Sequence, residues 1–125
     1  MNLTYRRAWQ IVAWLLLSLI TYLSLMPVPP MPLTFDGVDK LEHSFAYLVL
    51  ALCFCQAYAQ PSRWMVFLIA WGVGIEFAQG WTGYRYFDVW DMVANTTGAL
   101  LGGYLVQKTW VGGSFATIER SFLRA

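Results

Sequence analysis

Residues 85–103 read RYFDVWDMVANTTGALLGG. An arginine and two aspartates lead into a run of small and apolar residues that carries no further charge before Lys108. Asp88, Asp91 and Asn95 stand at i, i+3 and i+7, so they share one face of a helix that starts here. Gly98 and Gly102 form a G-x-x-x-G step, the small-residue pattern that lets helices approach closely where lipid supplies no hydrophobic drive. A polar stripe at the mouth of an oily helix is the pattern of a membrane span with a site at its end.

The rest of the chain repeats that pattern. Of 125 residues, 58% are hydrophobic, 18% are aromatic and only 12% are charged, against about 25% charged in an ordinary soluble domain. No charge lies between Arg7 and Asp36, Glu42 and Arg63, Arg63 and Glu76, or Asp91 and Lys108. A helix needs about 20 residues to cross a hydrocarbon core of about 30 Å, and soluble helices of this size would each show a polar face. The expected fold is therefore all-α: one domain, residues 1–125, a polytopic bundle of four transmembrane helices at about 8–26, 41–60, 64–80 and 92–107. The first apolar run lacks the small residues of a signal-peptidase site and reads as a permanent span.

The connections agree with this division. The piece MPVPPMPLTFDGVD holds four of the five prolines and reads as an extended link. AQPSR is short enough to make the second and third spans a hairpin. WTGYRYFDVW mixes glycine with aromatics suited to a membrane interface, and the tail after Lys108 is expected to form a short interfacial helix. Cys53 and Cys55, two apart, diverge on a helix and read as core thiols. A net charge of +1 suggests no nucleic-acid partner. Neither a metal nor a cofactor is expected, since there is one histidine and no zinc-type spacing.

Basic residues set the orientation. Arg6, Arg7, Arg63, Lys108, Arg120 and Arg124 fall on one side, and Lys40 and Arg85 on the other. Both termini are then expected in the cytoplasm, with the protein multi-pass in the cytoplasmic (inner) membrane. Asp36, Asp39, Glu42, Glu76, Asp88 and Asp91 gather in or near the outer half. Asp39, His43 and Tyr47 form an i, i+4, i+8 stripe on the second span, and Glu76 and Gln79 pair on the third. Thirteen residues after Arg63, Glu76 lies roughly 20 Å along its helix, where an unpaired carboxylate costs on the order of 3 kcal/mol. Its expected partners are Arg85, Lys40 and His43. Gly72, Gly98 and Gly102 are expected to pack the third and fourth spans together.

LSLMP, DKLEHSFAY, EFAQ and RYFDVWDMVANTTGALLGG, in that order over about residues 23–103, resemble the VanZ-like family of small bacterial membrane proteins. By that resemblance Asp39, Lys40, His43, Glu76, Gln79, Arg85, Asp88, Asp91 and Asn95 are the family's characteristic polar positions. The resemblance implies a cell-envelope setting, through a member linked to teicoplanin resistance, and a lipid-linked precursor or glycopeptide as partner beside the bilayer itself. It supplies no reaction.

Three readings follow. The polar residues form an outward-facing pocket for an envelope ligand. Alternatively, His43 with Asp39 or Glu76 serves as acid and base in a membrane enzyme acting on a lipid-linked precursor. In the third, the residues form a structural network with no ligand, since polar groups inside a membrane must find partners anyway. The sequence does not specify an oligomeric state.

Overall fold

The computed structural model describes residues 3–27 and 36–124, with backbone only for 36–39. The described residues contain five α-helices and no strand. Helix α1 spans Arg6–Leu25, α2 Asp36–Ala57, α3 Pro61–Trp81 and α4 Val89–Lys108; a short 3-10 turn, Trp110–Gly113, leads into α5, Ser114–Leu123. The first four run up and down, and α2 and α4 form the most extensive contact. Each sequence-derived span lies within a few residues of a helix, and the tail is helical as expected.

Helix ends are set by local chemistry. Pro61 occupies the first turn of α3, where its missing N–H costs nothing, after Gln60 in a left-handed conformation at φ 62°. Asp88 caps α4 by accepting from Trp90 N at 2.9 Å, so the helix begins before the expected Met92. The orphan carbonyls of α2 lack a local cation, and Arg6 Nη1 reaches Ala57 O from α1 at 2.8 Å.

By length and composition α1 is, among the described residues, the one helix apolar enough to cross a membrane. Helix α2 is diluted by the charges of its first turns, and α3 and α4 by glycine, alanine, tryptophan and buried polar groups. Large apolar side chains are nevertheless exposed on all four: Leu15 on α1, Phe45 on α2, Val66 on α3, Leu101 on α4.

The glycines pack differently from the expectation. A Cβ on Gly98 would lie 2.1 Å from Ser44 O, and one on Gly102 2.6 Å from Leu48 O. The G-x-x-x-G step therefore seats α4 on α2 rather than on α3. The physical reason is register: Gly98 and Gly102 continue the face of Asp91 and Asn95, which is turned toward Lys40 and His43 on α2. Gly72 does join α3 to α4, its Cβ position 3.2 Å from Asn95 Cβ and equally near Tyr47 on α2. Cys53 and Cys55 are buried free thiols.

The end of the bundle holding Arg6, Ala57 and Lys108 is closed by the tail. Glu119, buried on α5, accepts from Thr4 N at 2.8 Å, Tyr5 N at 2.9 Å and Trp9 Nε1 at 2.8 Å. Trp9 stacks on Phe115 at 3.9 Å between centroids. Desolvation alone would raise the Glu119 carboxyl, but these three donors outweigh it and hold the group below the ordinary glutamate range. A carboxylate at the start of α1 also complements that helix's dipole.

Candidate functional site

The other end of the bundle carries the charged residues. From α2, Lys40 Nζ donates to Asp88 Oδ2 at 2.6 Å and to Asp91 Oδ1. His43 follows one residue short of a turn later. Its Nδ1 lies 3.1 Å from Asn95 Oδ1, and its Nε2 lies 3.7 Å from Asp91 Oδ2. Ser44 Oγ donates to Ala94 O at 2.8 Å. The close approach at Gly98 and Gly102 allows these short side chains to meet across the α2–α4 seam.

Glu76 enters from α3 and is fully buried. Its Oε1 accepts from the backbone N of Asp88 at 2.8 Å, tying α3 to the start of α4. Among the described residues its Oε2 has no hydrogen-bond partner, and neither does Gln79 Oε1. Glu76 interacts electrostatically with His43, Tyr47, Asp88 and Asp91. A buried acceptor without a donor costs about 1–3 kcal/mol, so its retention here calls for an explanation.

Arg85 and Gln79 are placed otherwise than the sequence suggested. Arg85 is not the partner of Glu76: its Nη1 donates to Met26 O at 3.2 Å, while Gln79 Nε2 donates to Ser24 O at 2.8 Å and Tyr84 Oη to Leu25 O at 2.7 Å. Helix α1 has no basic residue in its last turn, and these three side chains satisfy its terminal carbonyls from across the bundle. The arrangement draws the end of α1 over the charged cluster.

Between α1 and α2 this leaves a recess of about 210 Å³. Ser24, Glu42, His43, Tyr47 and Arg85 form its polar wall, and Ile20, Leu23 and Ala46 its apolar one. Lys40, His43, Glu76, Asp88, Asp91 and Asn95 are linked through the contacts above, while Arg85 lines the recess and Gln79 is buried against the end of α1. The side chain of Asp39 lies outside the described residues. Among the described residues no three of His, Cys, Asp and Glu converge as a metal-ligand set. Ser24, Ser44 and Glu42 were passed over as site residues, although LSLMP and DKLEHSFAY contain them. Serines in an apolar run and an acid at a helix start carry no distinctive spacing.

The Asp88 carboxyl is held below the ordinary aspartate range, first by Lys40 and then by the Trp90 N–H. A depressed value contributes stability that is complete above the unfolded pKa of 3.8 and is lost as pH falls through the lower folded one. The melting temperature in detergent should therefore drop on acidification below about pH 4. That drop should be smaller in Asp88→Asn, which keeps the helix cap but cannot titrate; equal drops would discount the Lys40 pair.

A chain helical throughout its described residues, with one helix long and apolar enough to cross a membrane and a charged cluster at one end of its bundle, is the class defined so far. Residues 2–111 match the VanZ/LLP1 family, and the chain belongs to that family. It is also similar to an uncharacterized protein of Schizosaccharomyces pombe, with 34% identity over 92 residues, covering 69% of this chain and 54% of that protein. The chain thus spans about half the length of the curated relative it matches. No solved structure matches it.

Proposed function

We propose that this chain is a four-span protein of the cytoplasmic membrane, with both termini cytoplasmic, whose outward-facing recess binds the headgroup of a cell-envelope amphiphile. The carrying observation is Glu76: fully buried, with one oxygen that has no partner among the described residues, at the point where α2, α3 and α4 deliver their polar groups beside an accessible recess. An ionisable group at membrane depth is a functional residue by default. A purely structural network would be expected to satisfy both of its oxygens.

The four-span arrangement rests on several features together. Helices of 20, 22, 21 and 20 residues are each about 30 Å long or slightly more, the hydrocarbon thickness of a bilayer. Exposed aromatics stand at both ends of the bundle, Trp81, Tyr86 and Trp90 at one and Trp110 at the other, as interfacial belts do. Exposed leucines, valines and phenylalanines lie between them. The excess of basic residues at the end with Arg6, Arg63 and Lys108 supports a cytoplasmic position for that end.

The recess has a polar wall and an apolar wall, which suits an amphiphile: headgroup among Glu42, His43 and Arg85, chain along Ile20 and Leu23. A lipid-linked precursor or a lipid-bearing glycopeptide of the teicoplanin type has that character. The similar sequence in a eukaryote favours a lipid headgroup as the ligand. Reporter fusions at both termini should read as cytosolic, and an insertion at Gly83 as external. The reverse result removes the outward-facing site.

A catalytic reading is favoured by one observation. His43 lines the recess, and Asn95 Oδ1 lies 3.1 Å from its Nδ1, which fixes the ring orientation a general acid or base requires. Headgroup release from a lipid-linked precursor by the pure protein, abolished in His43→Ala, would establish it. Binding without turnover would leave the recess a binding site.

A further inference from the structure

We propose that the recess takes a headgroup bearing both a phosphate and a primary amine, phosphoethanolamine in its chemistry, with the phosphate on Arg85 and the amine on Glu42. This rests on the reading that the recess binds an amphiphile's headgroup. Glu42 and Arg85 line the same recess, and among the described residues neither carries an ion pair. Arg85 spends one N–H on Met26 O, and a guanidinium offers five. Its remaining donors match the fork geometry of a phosphate.

The opposite charges discriminate among ligands. A simple anion meeting Arg85 would also meet Glu42 on the same wall. A simple cation meeting Glu42 would face Arg85. A group with both charges a few bonds apart complements both walls and leaves neither side chain desolvated without a partner. A quaternary ammonium fits less well, since it has no N–H for Glu42 and would need an aromatic cage, whereas among the described residues Tyr47 is the one Phe, Tyr or Trp lining the recess. Ile20, Leu23 and Ala46 then receive the apolar part next to the phosphate.

The test is a titration of the purified full chain in detergent, read by native mass spectrometry. The probes are short-chain phosphatidylethanolamine, the matching phosphatidylglycerol and phosphatidylcholine, and free phosphoethanolamine. The ethanolamine lipid should bind at least about tenfold more tightly than the other two lipids, the worth of one charge-assisted contact. Glu42→Gln, at an exposed position, should bring it to the level of phosphatidylglycerol, and Arg85→Gln should weaken all three. Free phosphoethanolamine binding as tightly as the lipid would support the same chemistry and assign a soluble source. Equal affinity for the three lipids, unchanged by Glu42→Gln, overturns the proposal while the headgroup reading survives if Arg85→Gln still weakens them. If no lipid responds to either substitution, both readings fall.

Discussion

Gly98→Ala is expected to prevent recovery of a stably folded protein. The added methyl would lie 2.1 Å from Ser44 O and 2.9 Å from Ser44 C, both backbone atoms of α2. No rotamer change relieves that contact, so α2 and α4 must separate. Separation would pull Ser44 from Ala94 O and stretch the Lys40–Asp91 and His43–Asn95 contacts along the same seam. Overpacking of this kind costs about 3 kcal/mol or more when the backbone cannot yield, a large part of the margin by which a domain is folded. Two controls bracket the effect. Gly103→Ala would meet only the flexible thioether of Met65, and Gly74→Ala would meet nothing within 4 Å. Thermal unfolding in detergent should rank Gly98→Ala far below Gly103→Ala, with Gly74→Ala near the unsubstituted protein. A Gly98→Ala protein of unchanged stability would mean that α2 and α4 do not pack in this register.

Glu76→Gln is expected to leave the fold in place and remove ligand binding. The glutamine oxygen can still accept from Asp88 N, the 2.8 Å bond that fixes the start of α4. What changes is Oε2, which has no hydrogen-bond partner among the described residues and is replaced by an NH₂ with two donors. Glu76 is buried next to His43 and Tyr47, which line the recess, so the change reaches the headgroup through those two side chains and affinity for a headgroup lipid falls by about tenfold. Glu76→Leu differs in kind, because it also leaves the Asp88 N–H without its acceptor, at a cost of about 1–3 kcal/mol. Measuring lipid binding and melting temperature on both variants separates the roles. Full binding by a folded Glu76→Gln protein would confine Glu76 to structure and take away the central residue of the proposed site.

How much of this was legible beforehand varies by element. Helix α1 could be read directly from an unbroken apolar run, and the polar face of α4 from the spacing of Asp88, Asp91 and Asn95, although the Asp88 cap starts that helix at Val89, before Met92. Helical spacing also puts Asp88, Asp91 and Asn95 on one face of α4 and gives α2 a polar face at His43, whereas the contacts of Lys40 and His43 with that face belong to the tertiary structure. Two assignments failed, for a common reason. Arg85 was paired with Glu76 by charge, but it satisfies a carbonyl of α1, whose end lies beyond a proline-rich link. Gly98 and Gly102, expected to pack the fourth span on the third because small residues permit close approach, have their contacts with Ser44 and Leu48 on α2. Glu119 gave no signal at all, since its three donors stand more than 100 positions away.

The amino-acid order alone determined the helices, their approximate limits, and which polar residues lie on a common face of each, because periodicity and caps act within a few residues. Only the tertiary structure decided which faces meet, which carbonyls Arg85 and Gln79 satisfy, and that Glu76 keeps one oxygen without a donor among the described residues. Those outcomes depend on packing between elements distant in sequence, where the rotation of each helix is set by small residues such as Gly98 and Gly72 and cannot be read from spacing along one strand of chain.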